Sequence, residues 1–146
     1  MKFAEDKRVS FSLYADDTKV LRRLNLALRD AGADVGRADA MRLLIYAASE
    51  AEMFSHAALR LQAEARGGAD TGTIDERFTV WLPGSLIKKL GRVVDDLARK
   101  DIDVERTFIV RALLHAPHDA KALIRALPKL AVEFPDRRSL RGQQRG

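Results

Sequence analysis

Arg77-Phe78-Thr79-Val80-Trp81-Leu82-Pro83 is the stretch on which the fold of this 146-residue chain turns. Phe78, Val80 and Leu82 alternate with Arg77, Thr79 and Trp81, the two-residue period of a strand that buries one face only. Pro83 lacks a backbone N–H, so strand pairing is expected to stop there and a helix to begin. The same pattern stands 69 residues earlier as Arg8-Val9-Ser10-Phe11-Ser12-Leu13. Here Val9, Phe11 and Leu13 are the inward set, and Arg8, Ser10 and Ser12 the outward one.

Each strand is followed by the periodicity of two helices. After the first, Asp16 and Asp17 suit a helix N-terminus, where carboxylates meet unpaired amides and the positive dipole end. Leu21, Leu24, Leu28 and Ala31 follow at helical spacing, and Gly32 is a stop signal. A second helix is expected after Asp34, with Met41, Leu44, Ile45 and Ala48 on one face. No Gly or Pro lies between Arg37 and Arg66, so residues 50–66 read as a helical return path toward the second strand, with room for a break of its own. Gly67 to Thr73 is the clearest linker.

The second unit repeats this plan. Leu86, Leu90, Val93 and Leu97 form the stripe of its first helix, with Ser85 as candidate cap; Asp103 precedes a helix bearing Phe108, Ile109, Ala112 and Leu113, which Pro117 ends. At the constant offset of 69, at least eleven pairs are identical, among them Arg8/Arg77, Leu21/Leu90, Leu28/Leu97, Asp34/Asp103, Arg37/Arg106 and Arg42/Arg111. The expected organisation is a first unit over 7–49, a helical extension and Gly-rich linker over 50–75, and a second unit over 76–117. A C-terminal helix over 118–134 and a disordered basic tail over 135–146 complete it. The fold class that follows is mainly α, with one two-stranded antiparallel β-ribbon shared by two units in a pseudo-twofold domain.

Charge and composition bound the function. Arg137, Arg138, Arg141 and Arg145 supply four of the five net positive charges, and no acid lies among the last ten residues. The tail is therefore basic and the body nearly neutral. There is no cysteine, no apolar run of membrane-spanning length and no secretion-type leader, which together suit a soluble cytoplasmic protein. His115 and His118 stand three apart across Pro117 with no third ligand evident, so no metal site is expected. No Ser-His-Asp order, phosphate-cradling glycine loop or carboxylate pair stands out; an enzyme and a cofactor are not expected. Arg42 and Arg111 are expected to cover the helices with their stems.

A lone half-polar strand leaves two unpaired edges, whereas two in one chain can pair with each other. The outer face of that ribbon would carry Arg8, Ser10, Ser12, Arg77, Thr79 and Trp81. A two-stranded ribbon fits the major groove of B-DNA, where Arg bonds guanine bidentately and Ser or Thr bonds several bases.

Over about Lys7–Ala47 and Glu76–Pro117 the chain resembles the ribbon-helix-helix family of DNA-binding proteins (the MetJ/Arc type). Phe78-Thr79-Val80-Trp81-Leu82-Pro83 with Leu86, Leu90, Val104, Ile109, Arg111 and Leu113 carries the likeness best. The resemblance implies base contacts by the six outward residues. It also implies phosphate contacts at Lys7 and at the starts of the second helices, Val35, Gly36 and Arg37, and Val104, Glu105 and Arg106. A helix N-terminus offers free amides and a positive dipole there. Two copies in one chain resemble the TraY-like proteins of conjugation and the VirC-type proteins of T-DNA transfer. The implied role is sequence-specific double-stranded DNA binding, as a repressor or an accessory protein of a plasmid or conjugation complex. The partners implied are duplex DNA, a second copy on DNA and another protein of that complex, with no membrane. The tail arginines, Arg137, Arg138, Arg141 and Arg145, would add phosphate contacts. Two other readings stay open: an antitoxin-like or adaptor protein working through protein contacts, and single-stranded nucleic-acid binding through Trp81.

Overall fold

The computed structural model describes residues 7–66 and 73–133. Strand β1 (Lys7–Tyr14) leads into α1 (Ala15–Asp30), α2 (Arg37–Ala47) and α3 (Glu50–Ala65); strand β2 (Ile74–Leu82) leads into α4 (Gly84–Ala98), α5 (Arg106–His115) and α6 (Ala120–Glu133). Residues 67–72 of the expected linker, the last residue of the expected C-terminal helix and the whole expected tail over 135–146 lie outside the described residues.

The two strands form one antiparallel sheet, with Val9 opposite Val80, Ser10 opposite Thr79 and Phe11 opposite Phe78. Both strands run slightly beyond the alternating stretches, β2 by three residues to Ile74. Phe11, Leu13, Phe78, Val80 and Leu82 are buried, so the inward set enters one core with Leu21, Leu28, Leu90, Leu97, Ile109 and Leu113. Each buried aliphatic or aromatic side chain of this kind stabilises by about 1.5–3 kcal/mol against exposure.

Helix packing crosses between the halves. Helix α5 lies against β1 and α2 against β2; α3 packs on α4 and α5, and α6 on α1 and α2. The stretch 50–66 is therefore a packed helix and not only a return path, with Met53 and Ala57 buried. Its break from α2 is set at Ser49, whose hydroxyl accepts from the Glu52 amide (3.0 Å) while the Glu52 carboxylate accepts from the Ser49 amide (2.8 Å). Lys89 on α4 donates to the Ile45 and Tyr46 carbonyls, both at 2.9 Å, at the C-terminal end of α2.

Helix ends correct some local readings. Ser85 is not a cap: α4 already begins at Gly84, with Pro83 in the cap position and its carbonyl accepting from the Leu86 and Ile87 amides. An earlier start lets Leu86 reach the core within the first turn. Helices α2 and α5 begin two residues later than Asp34 and Asp103 suggest, after Gly36 and Glu105. Helix α1 stops at Gly32, whose φ of +111° suits glycine, and at the offset position Asp101 takes φ +63°. The bonds there correspond: Ala33 N–H donates to the Leu28 carbonyl, and Ile102 N–H to that of Leu97. Pro128 sits inside α6 on its exposed side.

One polar cluster lies in the core. Asp17, fully buried, accepts from the Tyr14 amide (2.8 Å) as a helix-start acid would, and also from Arg111 Nε (2.8 Å). Its other oxygen meets His115 Nε2 at 2.7 Å, and the Arg111 guanidinium lies 4.5 Å from the Tyr14 ring centre. Burial pushes the Asp17 carboxyl up; the bonds from His115, the Tyr14 amide and Arg111 outweigh it and hold the group below its usual value. A carboxyl depressed in the folded state stabilises the fold above its unfolded value, near about 3.9, and loses that contribution as pH falls through the folded value. Replacing Asp17 by Ala takes from buried Arg111 its hydrogen-bonded partner, leaving among the described residues only the acid Glu64 at 3.8 Å, and is expected to cost about 3–5 kcal/mol at neutral pH. Urea unfolding of wild type and Asp17→Ala should show the gap narrowing as pH is lowered below about 4.

Candidate nucleic-acid interface

The pleat that sends Phe11 and Phe78 inward sends their neighbours to the opposite face. Arg8, Ser10, Arg77, Thr79 and Trp81 are exposed and Ser12 partly so. The register assembles them into three cross-strand pairs on that face: Arg8 opposite Trp81, Ser10 opposite Thr79, and Ser12 opposite Arg77. At the centre, the Ser10 and Thr79 hydroxyl oxygens lie 2.9 Å apart. Hydroxyls thus occupy the middle of the face and an arginine stands toward each end. Among the described residues, neither Arg8 nor Arg77 has an ion pair.

Arg42 and Arg111 lie beneath this surface. Both are buried, as expected of residues that cover the helices, but their charged ends have specific work. Arg42 Nε donates to the Trp81 carbonyl (2.8 Å), fastening α2 to β2 behind the exposed indole, and the guanidinium also bonds Asp39. Arg111 holds Asp17.

The residues expected near phosphates divide. Lys7 is exposed opposite Leu82 at one end of the ribbon. Arg106 is exposed at the start of α5 and, with Arg8, Ser10 and Thr107, lines a cleft of about 810 Å³ beside β1; the acids Asp95 and Glu105 line it too. Arg37, at the start of α2, has an ion-pair partner on β2. It grips Glu76 with both terminal nitrogens (2.9 and 2.5 Å) and lies 4.9 Å from the Phe78 ring centre. Those hydrogen bonds hold the Glu76 carboxyl below its usual value. Val35 is also engaged, its amide donating to the Ala33 carbonyl (3.1 Å) and its carbonyl accepting from Asn25 (2.7 Å). Gly36 and Glu105 are the exposed residues immediately before α2 and α5, and Val104 is half-buried. The tail arginines Arg137, Arg138, Arg141 and Arg145 lie outside the described residues.

Sequence reasoning missed the Arg37–Glu76 pair. Its signal was available only through the register: Glu76 falls on the inward parity next to Phe78, where a charge at the ribbon's end needs a partner. The histidines have structural duties as well, His115 with Asp17 and His118 with the Leu113 carbonyl (2.8 Å). Among the described residues no group of three or more candidate ligands could hold a metal, and no helix is long and apolar enough to cross a membrane.

Comparison with protein-family models, with curated proteins and with solved structures finds no match to this chain.

Trp81, the single tryptophan, keeps 37% of its surface exposed and reports on the ribbon's outer face directly. Acrylamide is expected to quench its emission in the native protein, less steeply than in the urea-unfolded chain but well above zero. A slope near zero would put the indole inside.

Proposed function

We propose that this chain is a sequence-specific double-stranded DNA-binding protein whose two halves form a pseudo-twofold ribbon-helix-helix unit within one polypeptide. One observation carries the proposal: a two-stranded antiparallel ribbon, backed on one face by the helical core, presents two arginines, three hydroxyls and one indole on the other. That shape and that set of side chains match what the major groove accepts and what base edges can bond. A helical core behind the ribbon keeps it rigid enough to hold a register on a duplex.

The pseudo-twofold reading has its own support. Under the offset of 69, the pair Arg8/Trp81 exchanges with Ser12/Arg77, and Ser10/Thr79 maps onto itself, so the register is compatible with an axis through the ribbon's centre. The crossed packing of α3 on α4 and α5, and of α6 on α1 and α2, follows the same exchange, as do the stops at Gly32 and Asp101. The repeating unit then includes the third helix. A role in repression or in a plasmid-type nucleoprotein complex belongs to the same proposal and rests on the resemblance described above.

Exposed cations that approach phosphates would be Lys7 and Arg106, together with backbone amides at the starts of α2 and α5. Selection from a random duplex pool should return a defined consensus. Binding to it should weaken steeply between about 50 and 200 mM salt. Arg8→Ala and Arg77→Ala should each cost about 1–3 kcal/mol on that site and relax its sequence preference. Equal affinity for all duplexes, or no effect of either substitution, would contradict the proposal.

A further inference from the structure

The outer face of the ribbon is nearly symmetric, and one residue departs from that symmetry far more than the rest. Under the 69-residue offset Arg8 corresponds to Arg77, and Ser10 to Thr79, arginine for arginine and hydroxyl for hydroxyl. Ser12 corresponds to Trp81, a small hydroxyl against the chain's one indole. The register puts each of these beside an arginine on the neighbouring strand: Ser12 opposite Arg77, Trp81 opposite Arg8. The two ends of the face are therefore Arg with Ser, and Arg with Trp.

Trp81 cannot be read as a misplaced core residue. Its strand neighbours Val80 and Leu82 are buried, its own side chain is on the opposite parity, and Arg42 fixes its backbone carbonyl from below. The indole is thus held outward by the pleat and by a buried guanidinium. An indole is apolar except for one N–H donor. In the major groove the apolar group that distinguishes one base from the others is the C5-methyl of thymine. Ser12, in the equivalent place, can offer a hydroxyl to a base edge but no comparable apolar surface.

We infer that Trp81 is the specificity-determining residue that makes the DNA site asymmetric, by contacting a thymine C5-methyl beside the base read by Arg8, while the Ser12–Arg77 end carries no such requirement. This rests on the duplex-binding proposal above and adds to it the residue, the base feature and the end of the site.

The test compares consensus sites selected from a random duplex pool by wild type, Trp81→Ser and Ser12→Trp, each first checked for native far-ultraviolet circular dichroism. Wild type is expected to select a site with a thymine requirement on one side only. Trp81→Ser gives both ends the same Arg-with-Ser pair, and the two ends of its consensus should become alike with the thymine requirement gone. Ser12→Trp, on the other end, should give a symmetric consensus with thymine on both sides; it keeps the inference testable if Trp81→Ser does not fold. On the wild-type site, uracil in place of that thymine removes one methyl and should weaken binding about fourfold, the worth of one buried methyl group. Trp81→Ser should bind the thymine and uracil duplexes alike. A symmetric wild-type consensus, or a one-sided thymine requirement beside the Arg8 base that survives Trp81→Ser, would overturn the inference while leaving duplex binding intact. Failure of wild type to select any duplex would instead overturn the proposed function, and this inference with it.

Discussion

Everything in this fold depends on closing a ribbon between two short segments some 70 residues apart in the chain. A two-stranded ribbon with one polar face gains little by itself. It persists because the inward face of both strands enters a single helical core, in which Phe11 and Phe78 meet across the sheet and Leu13 and Leu82 are fully buried. Period-two alternation makes the register self-enforcing: a slip of one residue would turn phenylalanines to solvent and arginines into the core. The same constraint fixes the outer face. Ser10 meets Thr79 because Phe11 meets Phe78.

The helices secure this closure by crossing between halves. Helix α5 sits behind β1 and α2 behind β2, so each strand is supported by a helix that follows the other strand in sequence. Arg42 ties α2 to the Trp81 carbonyl, and Arg37 ties the start of α2 to Glu76. The Asp17–Arg111–His115 cluster joins the start of α1 to α5 inside the core. These contacts are polar and directional, so they select one arrangement of the halves where hydrophobic packing alone would tolerate several.

Much of this was legible in the chain. Alternation around Phe78 and Phe11 gave both strands and which side chains face outward, because a half-buried strand has a local signature. The helix stops at Gly32 and Pro117 were equally local. What escaped was long-range pairing. Asp17 read as a helix-start acid, which it is, but its burial depends on Arg111 and His115, more than ninety residues on. The Arg37–Glu76 pair was not legible because nothing near Arg37 in sequence announces Glu76. Residues 50–66 read as a return path because a weakly amphipathic, alanine-rich helix shows its role only once α4 and α5 are in place beside it. The Ser85 reading failed for a smaller reason: Pro83 fits the cap position two residues sooner.

The central claim is that one chain supplies both strands of the ribbon. Because the protein has no cysteine, Ser10→Cys with Thr79→Cys introduces the only two thiols, at positions directly opposite whose hydroxyls now lie 2.9 Å apart. Oxidised at low protein concentration, this variant is predicted to form an intramolecular disulfide, running as a faster-migrating monomer on non-reducing gels and unfolding at higher denaturant. Disulfide-linked dimers in its place, or thiols that stay reduced while the protein is folded, would contradict the account.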